Sequence, residues 1–185
     1  MAFSAADVPG WTAGTWALDP THTDVTFQVR HLAISKVKGS FEEFTGTITT
    51  GDTIESSSVE AEIQVASVNT NQAQRDEHLR TNDFFLASEY PTITFRSTGV
   101  RVEEDDILVD GELTLRGVTK PVTLDVEFGG VTVDGYGNTK LGFEAQTKIN
   151  RKDFGVSWNA PTEAGGLTLG DEVKITIDGQ AALQK

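Results

Sequence analysis

The sequence predicts an all-β protein, a sandwich or antiparallel barrel of roughly eight or nine strands with one short helical crossover. Two observations carry this prediction. Apolar residues alternate with polar ones along most of the chain, which is typical of strands with one buried and one wet face. Turn-forming residues recur at short intervals between the alternating stretches. One stretch, rich in helix formers, departs from the alternation.

The alternation is clearest in six stretches, at residues 25–29, 59–65, 93–95, 122–128, 141–149 and 173–177. Phe41 and Phe44 break the parity, since they are an odd number of positions apart. A one-residue slip moves side chains to the opposite face of a strand. We therefore expect a bulge or bend at residues 42–43.

Asp110-Gly111 can be read in two ways. The pair lies between apolar residues and could form a two-residue hairpin turn. Against this, Val109 and Leu113 keep the same parity on either side of it. We therefore predict one continuous strand, with Gly111 at a bend or a close approach.

Residues 71–86 are the exception to the β pattern. Asn71 and Gln74 resemble a capping box, and good helix formers follow. The stretch predicts a short helix lying on the barrel or across one mouth. Its charged residues have two interpretations: an intrahelical network in which Asp76 reaches Arg80, or a polar gate at a cavity mouth.

Composition narrows the functional classes. The chain has 185 residues, so a single domain is expected, and its formal net charge is -13. Such a surface repels phosphate backbones and anionic membrane faces, so no nucleic-acid partner and no stable membrane insertion are expected. The absence of cysteine excludes disulfides and thiolate chemistry. The first eleven residues do not resemble a signal peptide, so a cytoplasmic location is expected.

Catalytic and metal-binding motifs are weak. The three histidines, His22, His31 and His78, lack metal-ligand spacing. No Gly-x-Ser-x-Gly elbow occurs. We therefore predict no catalytic residue, no metal and no cofactor, and a protein that is not an enzyme.

Several motifs, in order, resemble the YceI-like family of lipocalin-like polyisoprenoid-binding proteins. They are Trp16-Ala17-Leu18-Asp19 with His22, Val37-Lys38-Gly39-Ser40-Phe41, Arg75-Asp76-Glu77-His78-Leu79-Arg80, Asp83-Phe84-Phe85, Tyr90-Pro91-Thr92-Ile93 and Ile149-Asn150-Arg151-Lys152-Asp153-Phe154-Gly155. The resemblance covers residues 14–183. It divides the chain into an N-terminal extension, 1–13, and a barrel domain, 14–185.

The resemblance implies an extended eight-stranded antiparallel lipocalin-like barrel with a long apolar pore. It also implies an isoprenoid-tailed ligand, often a homodimer, and export of many relatives to the periplasm. Inward parity gives the candidate lumen residues Val25, Phe27, Val29, Phe41, Ile63, Val65, Ile93, Phe95, Leu113, Leu115, Leu124, Val126, Phe143 and Ile175. The candidate mouth or head-group contacts are His31, Arg75, His78, Phe84, Phe85 and Arg151.

The sequence is compatible with three functions. Periodicity alone does not distinguish an open lumen from a solid core of the same side chains. An open lumen predicts a binder of a polyisoprenoid or isoprenoid quinone, acting as carrier, store or shield. The alternatives are an enzyme acting on such a lipid, through His22, His31 or the Arg75-Asp76-His78 cluster, and a solid-core interaction module.

Overall fold

The computed structural model describes residues 4–32, 34–159 and 169–184. Residues 1–3 of the predicted extension and Lys185 at the end of the predicted domain lie outside this part. Described strands are β1 (Gly14–Leu18), β2 (Asp24–His31), β3 (Ser35–Phe41), β4 (Phe44–Thr50), β5 (Ser58–Gln64), β6 (Val68–Asn69), β7 (Thr92–Glu103), β8 (Asp106–Leu115), β9 (Val118–Val133), β10 (Thr139–Asn150) and β11 (Leu169–Leu183). The described α-helix is α1 (Ala73–Leu79), and 3-10 helices occupy Ala5–Asp7, Pro20–His22, Val65–Ser67 and Arg151–Phe154.

Eight strands close into an antiparallel barrel. The ring runs β1-β4-β5-β7-β8-β9-β10-β11 and returns to β1 through the pairing of β1 with β11. The extended eight-stranded barrel is therefore confirmed. A closed ring leaves no free sheet edge along these pairings, which removes a common site of aggregation.

Some of the long barrel strands are interrupted by a bend or a 3-10 helix. For this reason eleven described strand segments build an eight-stranded barrel. Residues 181–183 of β11 pair with β1, whereas residues 173–178 pair with β2. In the same way, β3 pairs with β2 and β4 with β1, while β6 pairs with β3 and β5 with β4. The bend at residues 42–43 separates β3 from β4, as the parity break predicts. Each such pair of segments therefore forms one barrel strand with a bend between its two parts.

Gly111 lies within a single strand, as predicted. β8 is continuous through Asp110-Gly111 and pairs with β7 on one side and β9 on the other. A Cβ at Gly111 would lie 2.6 Å from the carbonyl oxygen of Arg96. The close approach of β7, beside an irregularity between Ser97 and Gly99, requires glycine here.

The helix is shorter than predicted, and its cap differs. Gln72 is the N-cap, and its side chain accepts a hydrogen bond from the backbone N–H of Arg75. Asn71 has φ 62°, whereas an N-cap residue is usually extended, so the predicted Asn71–Gln74 capping box is wrong. After Leu79 the chain continues in turns, closed by bonds such as Phe85 N–H to the carbonyl of Leu79.

Different segments lie over the two ends of the barrel. At the end that we call the mouth, α1 and the following turns reach from Phe41, against Phe85, to Trp158, against His78. At the far end, the segment before β1 packs onto the barrel. The indole N–H of Trp11 donates to the carbonyl of Gly51, and Ile54 of the β4–β5 loop is buried. The predicted helical crossover, α1 with the turns that follow it, therefore lies across the mouth.

Candidate functional site

An apolar cavity of about 430 Å³ lies inside the barrel. On β10 its lining extends from Leu141 to Ile149. With a rise of about 3.3 Å per residue and a strand tilt near 40°, eight residue steps correspond to a length of roughly 20 Å. The site is therefore a long, narrow apolar lumen with room for one narrow ligand.

Nearly all of the predicted lumen residues lie on the cavity wall. Thirteen of the fourteen do so: Val25, Phe27, Val29, Phe41, Ile63, Ile93, Phe95, Leu113, Leu115, Leu124, Val126, Phe143 and Ile175. The six candidate mouth residues, His31, Arg75, His78, Phe84, Phe85 and Arg151, also line it. Because a strand alternates its faces, odd and even spacing was sufficient to place the thirteen lumen residues, which all lie on strands.

Val65 does not line the cavity. β5 ends at Gln64, and Val65 begins a 3-10 helix whose first N–H donates to the carbonyl of Pro91. The residue is 1% exposed and packs in the core beneath the mouth. The alternation extended one position too far because a buried valine suits either conformation.

Three large lining residues were missed by the pattern. Trp11 precedes β1, and Ile54 and Trp158 lie in connections between strands, so no periodicity marks these side chains as inward. Trp11 packs edge-on against Phe128, with ring centroids 6.1 Å apart. Together with Ile54 it covers the far end of the lumen, so the cavity ends in apolar side chains there.

Cationic and imidazole groups gather at the mouth. We call His31, Arg75, His78 and Arg151 the mouth collar; all four line the cavity. They come from the end of β2, from α1 and from the 3-10 helix after β10. The collar gives the lumen one polar end.

Arg151 is the most buried member of the collar, at 4% exposure. Its Nε donates to the carbonyl of Gly170, and its Nη1 donates to the carbonyls of Val156 and Trp158. Nη2 is buried without an acceptor among the residues that the structure describes. Burial lowers the pKa of Arg151, partly offset by the charge of Asp171.

His78 is held by an aromatic box and a carboxylate. Its Nε2 lies 2.7 Å from Oδ2 of Asp83. Its ring meets those of Trp158 and Phe84 edge-on, at centroid distances of 4.8 and 5.0 Å. These contacts fix the imidazole at the mouth.

Arg75 is positioned by Thr70. Its Nε donates to the Thr70 hydroxyl and its Nη2 to the Thr70 carbonyl, both at 2.7 Å. The predicted Asp76–Arg80 interaction is wrong: Asp76 accepts bonds from the N–H and hydroxyl of Thr70. Arg80 instead reaches Glu77 and the carbonyls of Ala66 and Val68.

The described residues contain no cluster of three or more histidine, aspartate or glutamate side chains able to hold a metal ion. Over the same ranges, no helix combines the length and apolarity needed to cross a bilayer.

A closed antiparallel barrel around an apolar lumen, with a polar collar at one end, defines a lipocalin-like cavity protein. The family model for the YceI-like domain matches residues 16–181, and the chain belongs to this family. Protein YceI of Escherichia coli O17:K52:H18 is 40% identical over 159 residues, which cover 85% of this chain and 81% of that protein.

Solved structures agree with the fold. The YceI protein of Campylobacter jejuni matches with a TM-score of 0.71 and 35% identity, over 91% of this chain and 97% of that one. A polyisoprenoid binding domain from Saccharophagus degradans matches with a TM-score of 0.69 and 17% identity, over 94% and 100% of the respective chains. At the latter identity the likeness shows the fold alone.

Proposed function

We propose that this protein binds a long-chain isoprenoid-type lipid, a polyisoprenoid or an isoprenoid quinone, inside the lumen and acts as its carrier, store or shield. The observation that carries the proposal is the apolar cavity itself, lined by side chains from most strands of the barrel. A slender lumen closed at one end suits a linear hydrocarbon better than a compact metabolite. The polyisoprenoid binding domain of Saccharophagus degradans, which shares the fold, supports this ligand class.

Burial of the tail is sufficient for tight binding. Drug-sized ligands gain at most about 0.3 kcal/mol of binding free energy per non-hydrogen atom. At that limit a tail of about forty atoms would gain about 12 kcal/mol, which corresponds to a nanomolar dissociation constant. No specific polar contact is needed to reach that affinity.

The mouth collar would select the head group. Arg75 and Arg151 can only donate hydrogen bonds, and His78 can also donate. These groups favour a head group with acceptor oxygens, such as a quinone carbonyl or a phosphate. A buried donor without an acceptor costs about 1–3 kcal/mol, and a ligand oxygen near Nη2 of Arg151 would recover part of that cost.

The proposed role is non-catalytic. The His78–Asp83 pair is the described arrangement closest to an acid–base dyad, and a second candidate would be a lipid-modifying enzyme that uses it. The aromatic rings packed against His78 instead favour a fixed structural role for the imidazole. Turnover of a bound polyprenol that disappears in His78→Gln would establish the enzyme and overturn the carrier.

Extraction of the purified protein tests the proposal directly. We expect mass spectrometry of an organic extract to show an isoprenoid-tailed lipid, and delipidated protein to take up added polyprenol in about one-to-one ratio. A protein that carries no apolar ligand and takes up no polyprenol would exclude lipid binding.

Filling the lumen should abolish uptake without unfolding the barrel. Val126 lines the cavity and is only partly buried, so a Val126→Trp side chain can enter the open space. We expect uptake of polyprenol to fall at least about tenfold while the unfolding midpoint changes little. Glu127→Trp, on the exposed face of the same strand, is the matched control and should bind normally. Equal uptake in both variants would contradict a luminal site.

Two further expectations stay predictions. A homodimer would be detected by sedimentation equilibrium, and a cytoplasmic location by fractionation of the producing cell. Neither is needed for binding in the lumen.

A further inference from the structure

The β2–β3 hairpin is cationic in a strongly acidic protein. From residue 25 to residue 41 the sequence contains no aspartate or glutamate but has Arg30, Lys36 and Lys38, whereas the whole chain carries -13. All three side chains are exposed. Such a local reversal of charge is not explained by solubility, which the acidic surface already provides.

Among the residues that the structure describes, these cations face one another without acidic partners. Arg30 is directly opposite Lys36, and Lys38 is opposite Gln28. Like charges opposite one another destabilise a strand pair. Within the described ranges, none of the three cations forms an ion pair. The arrangement therefore weakens the hairpin unless an anionic surface lies against it.

The positive charge continues onto the neighbouring strands. Gln28 is opposite Lys174 on β11, and Lys174 is opposite Lys148 on β10. We call Arg30, Lys36, Lys38, Lys148 and Lys174 the basic face. The ion pairs that the described residues form beside this face are Lys148–Glu172, 3.8 Å apart with both side chains mostly exposed, and Lys152–Asp171. Glu172 offsets the charge of Lys148, so the unpaired cations of this face among the described residues are Arg30, Lys36, Lys38 and Lys174.

The tip of the same hairpin is apolar and exposed. Ile34 is 81% exposed and Leu32 is 42% exposed. Leu32 also has φ 54°, an uncommon conformation for leucine. The adjacent His31 lines the cavity as part of the mouth collar, so the apolar tip projects beside the mouth.

We propose that this hairpin docks the barrel, mouth first, onto an anionic lipid bilayer. Leu32 and Ile34 would enter the head-group region, and the basic face would lie over the lipid phosphates. An apolar tip flanked by lysine and arginine is the usual chemistry of interfacial attachment. The mouth would then open at the level where a lipid ligand leaves or enters the bilayer.

A bilayer fits this surface better than an acidic protein does. A specific protein interface needs about 1,000 Å² of complementary surface, which two apolar side chains do not supply. The net negative charge does not prevent docking, since charges beyond about 8 Å are largely screened at physiological ionic strength. Each cation near an anionic membrane strengthens binding about fivefold.

Flotation with phosphatidylcholine vesicles, with and without 30% phosphatidylserine, tests the proposal in 150 mM salt. We expect the protein to float with the anionic vesicles and not with the neutral ones. Lys36→Gln with Lys38→Gln should reduce vesicle affinity at least about tenfold. Arg96→Gln with Arg101→Gln, on β7, changes the net charge equally and should stay within about twofold of the parent protein.

A second pair of variants tests the tip. Leu32→Asn with Ile34→Ser should weaken attachment about tenfold or more, and asparagine tolerates the positive φ of position 32. Val133→Ser with Tyr136→Ser removes exposed apolar side chains at the far end and should have no effect. Failure of the parent protein to float, or equal losses in matched variants, would overturn the proposal, as would hairpin-dependent capture of an acidic peptide without vesicle binding.

The docking proposal does not rest on the lipid ligand. Leu32, Ile34, Lys36 and Lys38 do not line the cavity, so uptake of polyprenol delivered in detergent should be unchanged in their variants. Normal uptake with lost flotation supports docking. Normal flotation without uptake would leave docking standing and contradict only the proposed function.

Discussion

Single residues behind the mouth set the position of the collar. Thr70, 4% exposed, connects to Asp76 through its N–H and hydroxyl, and its hydroxyl and carbonyl accept from Arg75. Asp76 is itself 8% exposed. One buried carboxylate thus anchors α1 to the chain that follows β6 and orients an arginine toward the lumen.

Removing that carboxylate should be costly. Asp76→Ala leaves the Thr70 N–H buried without an acceptor, and we expect a loss of about 1–3 kcal/mol in urea unfolding. Asp76→Asn retains an acceptor oxygen and should lose clearly less. Equal stability of the alanine variant and the parent protein would contradict the anchoring role. Helical spacing could not reveal this partner, because Thr70 precedes the helix and lies outside an i, i+4 rule.

At the scale of elements, one ion pair ties the end of β1 to the start of β10. Asp19, which caps the 3-10 helix Pro20–His22, accepts a hydrogen bond from Lys140 and another from His22. The hydrogen bond from Lys140, followed by that from His22, holds the pKa of Asp19 far below its ordinary value. Both side chains of the pair are largely buried.

The pH dependence of stability follows from the sign of that shift. A carboxyl with a lowered folded-state pKa stabilises the fold above its unfolded value, near 3.8, and this contribution is lost as pH falls through the folded value. We expect Asp19→Asn to lose about 1–3 kcal/mol at pH 7 and to differ progressively less from the parent protein below about pH 4. Denaturant unfolding at pH 7 and pH 3 measures this. A constant difference at both values would show that the ion pair is not responsible.

Elements differ in how well the sequence predicted them. Long strands with one buried face carry alternation over many residues, so their inward positions were found, and β8 was recognised through Asp110-Gly111. The positions at which a barrel strand is interrupted were harder to predict from the sequence. The stretch from β1 to β2 turns through Pro20–His22, where the partner of β11 changes from β1 to β2. Such an exchange depends on distant pairing and has no local signature.

At the scale of the whole molecule, the division between lumen and surface is the principal result of the alternation. Phe27→Asp should place a carboxylate in the apolar cavity and cost at least about 3 kcal/mol of stability, together with lipid uptake. Gln28→Asp, the next residue on the other face, should change stability by less than about 0.5 kcal/mol. Normal stability and normal uptake in Phe27→Asp would show that the assignment of faces is incorrect.

The cavity itself could not be derived from the alternation. The same apolar residues could fill a solid core, and the choice depends on how far apart opposite walls stand. That distance is set by strand number and stagger, which follow from closure of the ring between β1 and β11. Trp11 and Ile54, which cover the far end, come from the segment before β1 and from the β4–β5 loop, where there is no periodicity.

The closure of the ring also governs how the barrel folds. Its last seam pairs three residues, Trp16 to Leu18, with Leu183 to Ala181, across a separation of about 165 positions in the chain. Hairpins such as β8–β9 form between neighbours, whereas this seam brings together the two ends of the polypeptide at a large loss of chain entropy. Refolding should therefore be limited by ring closure, on the slow millisecond-to-second scale of non-local β topologies.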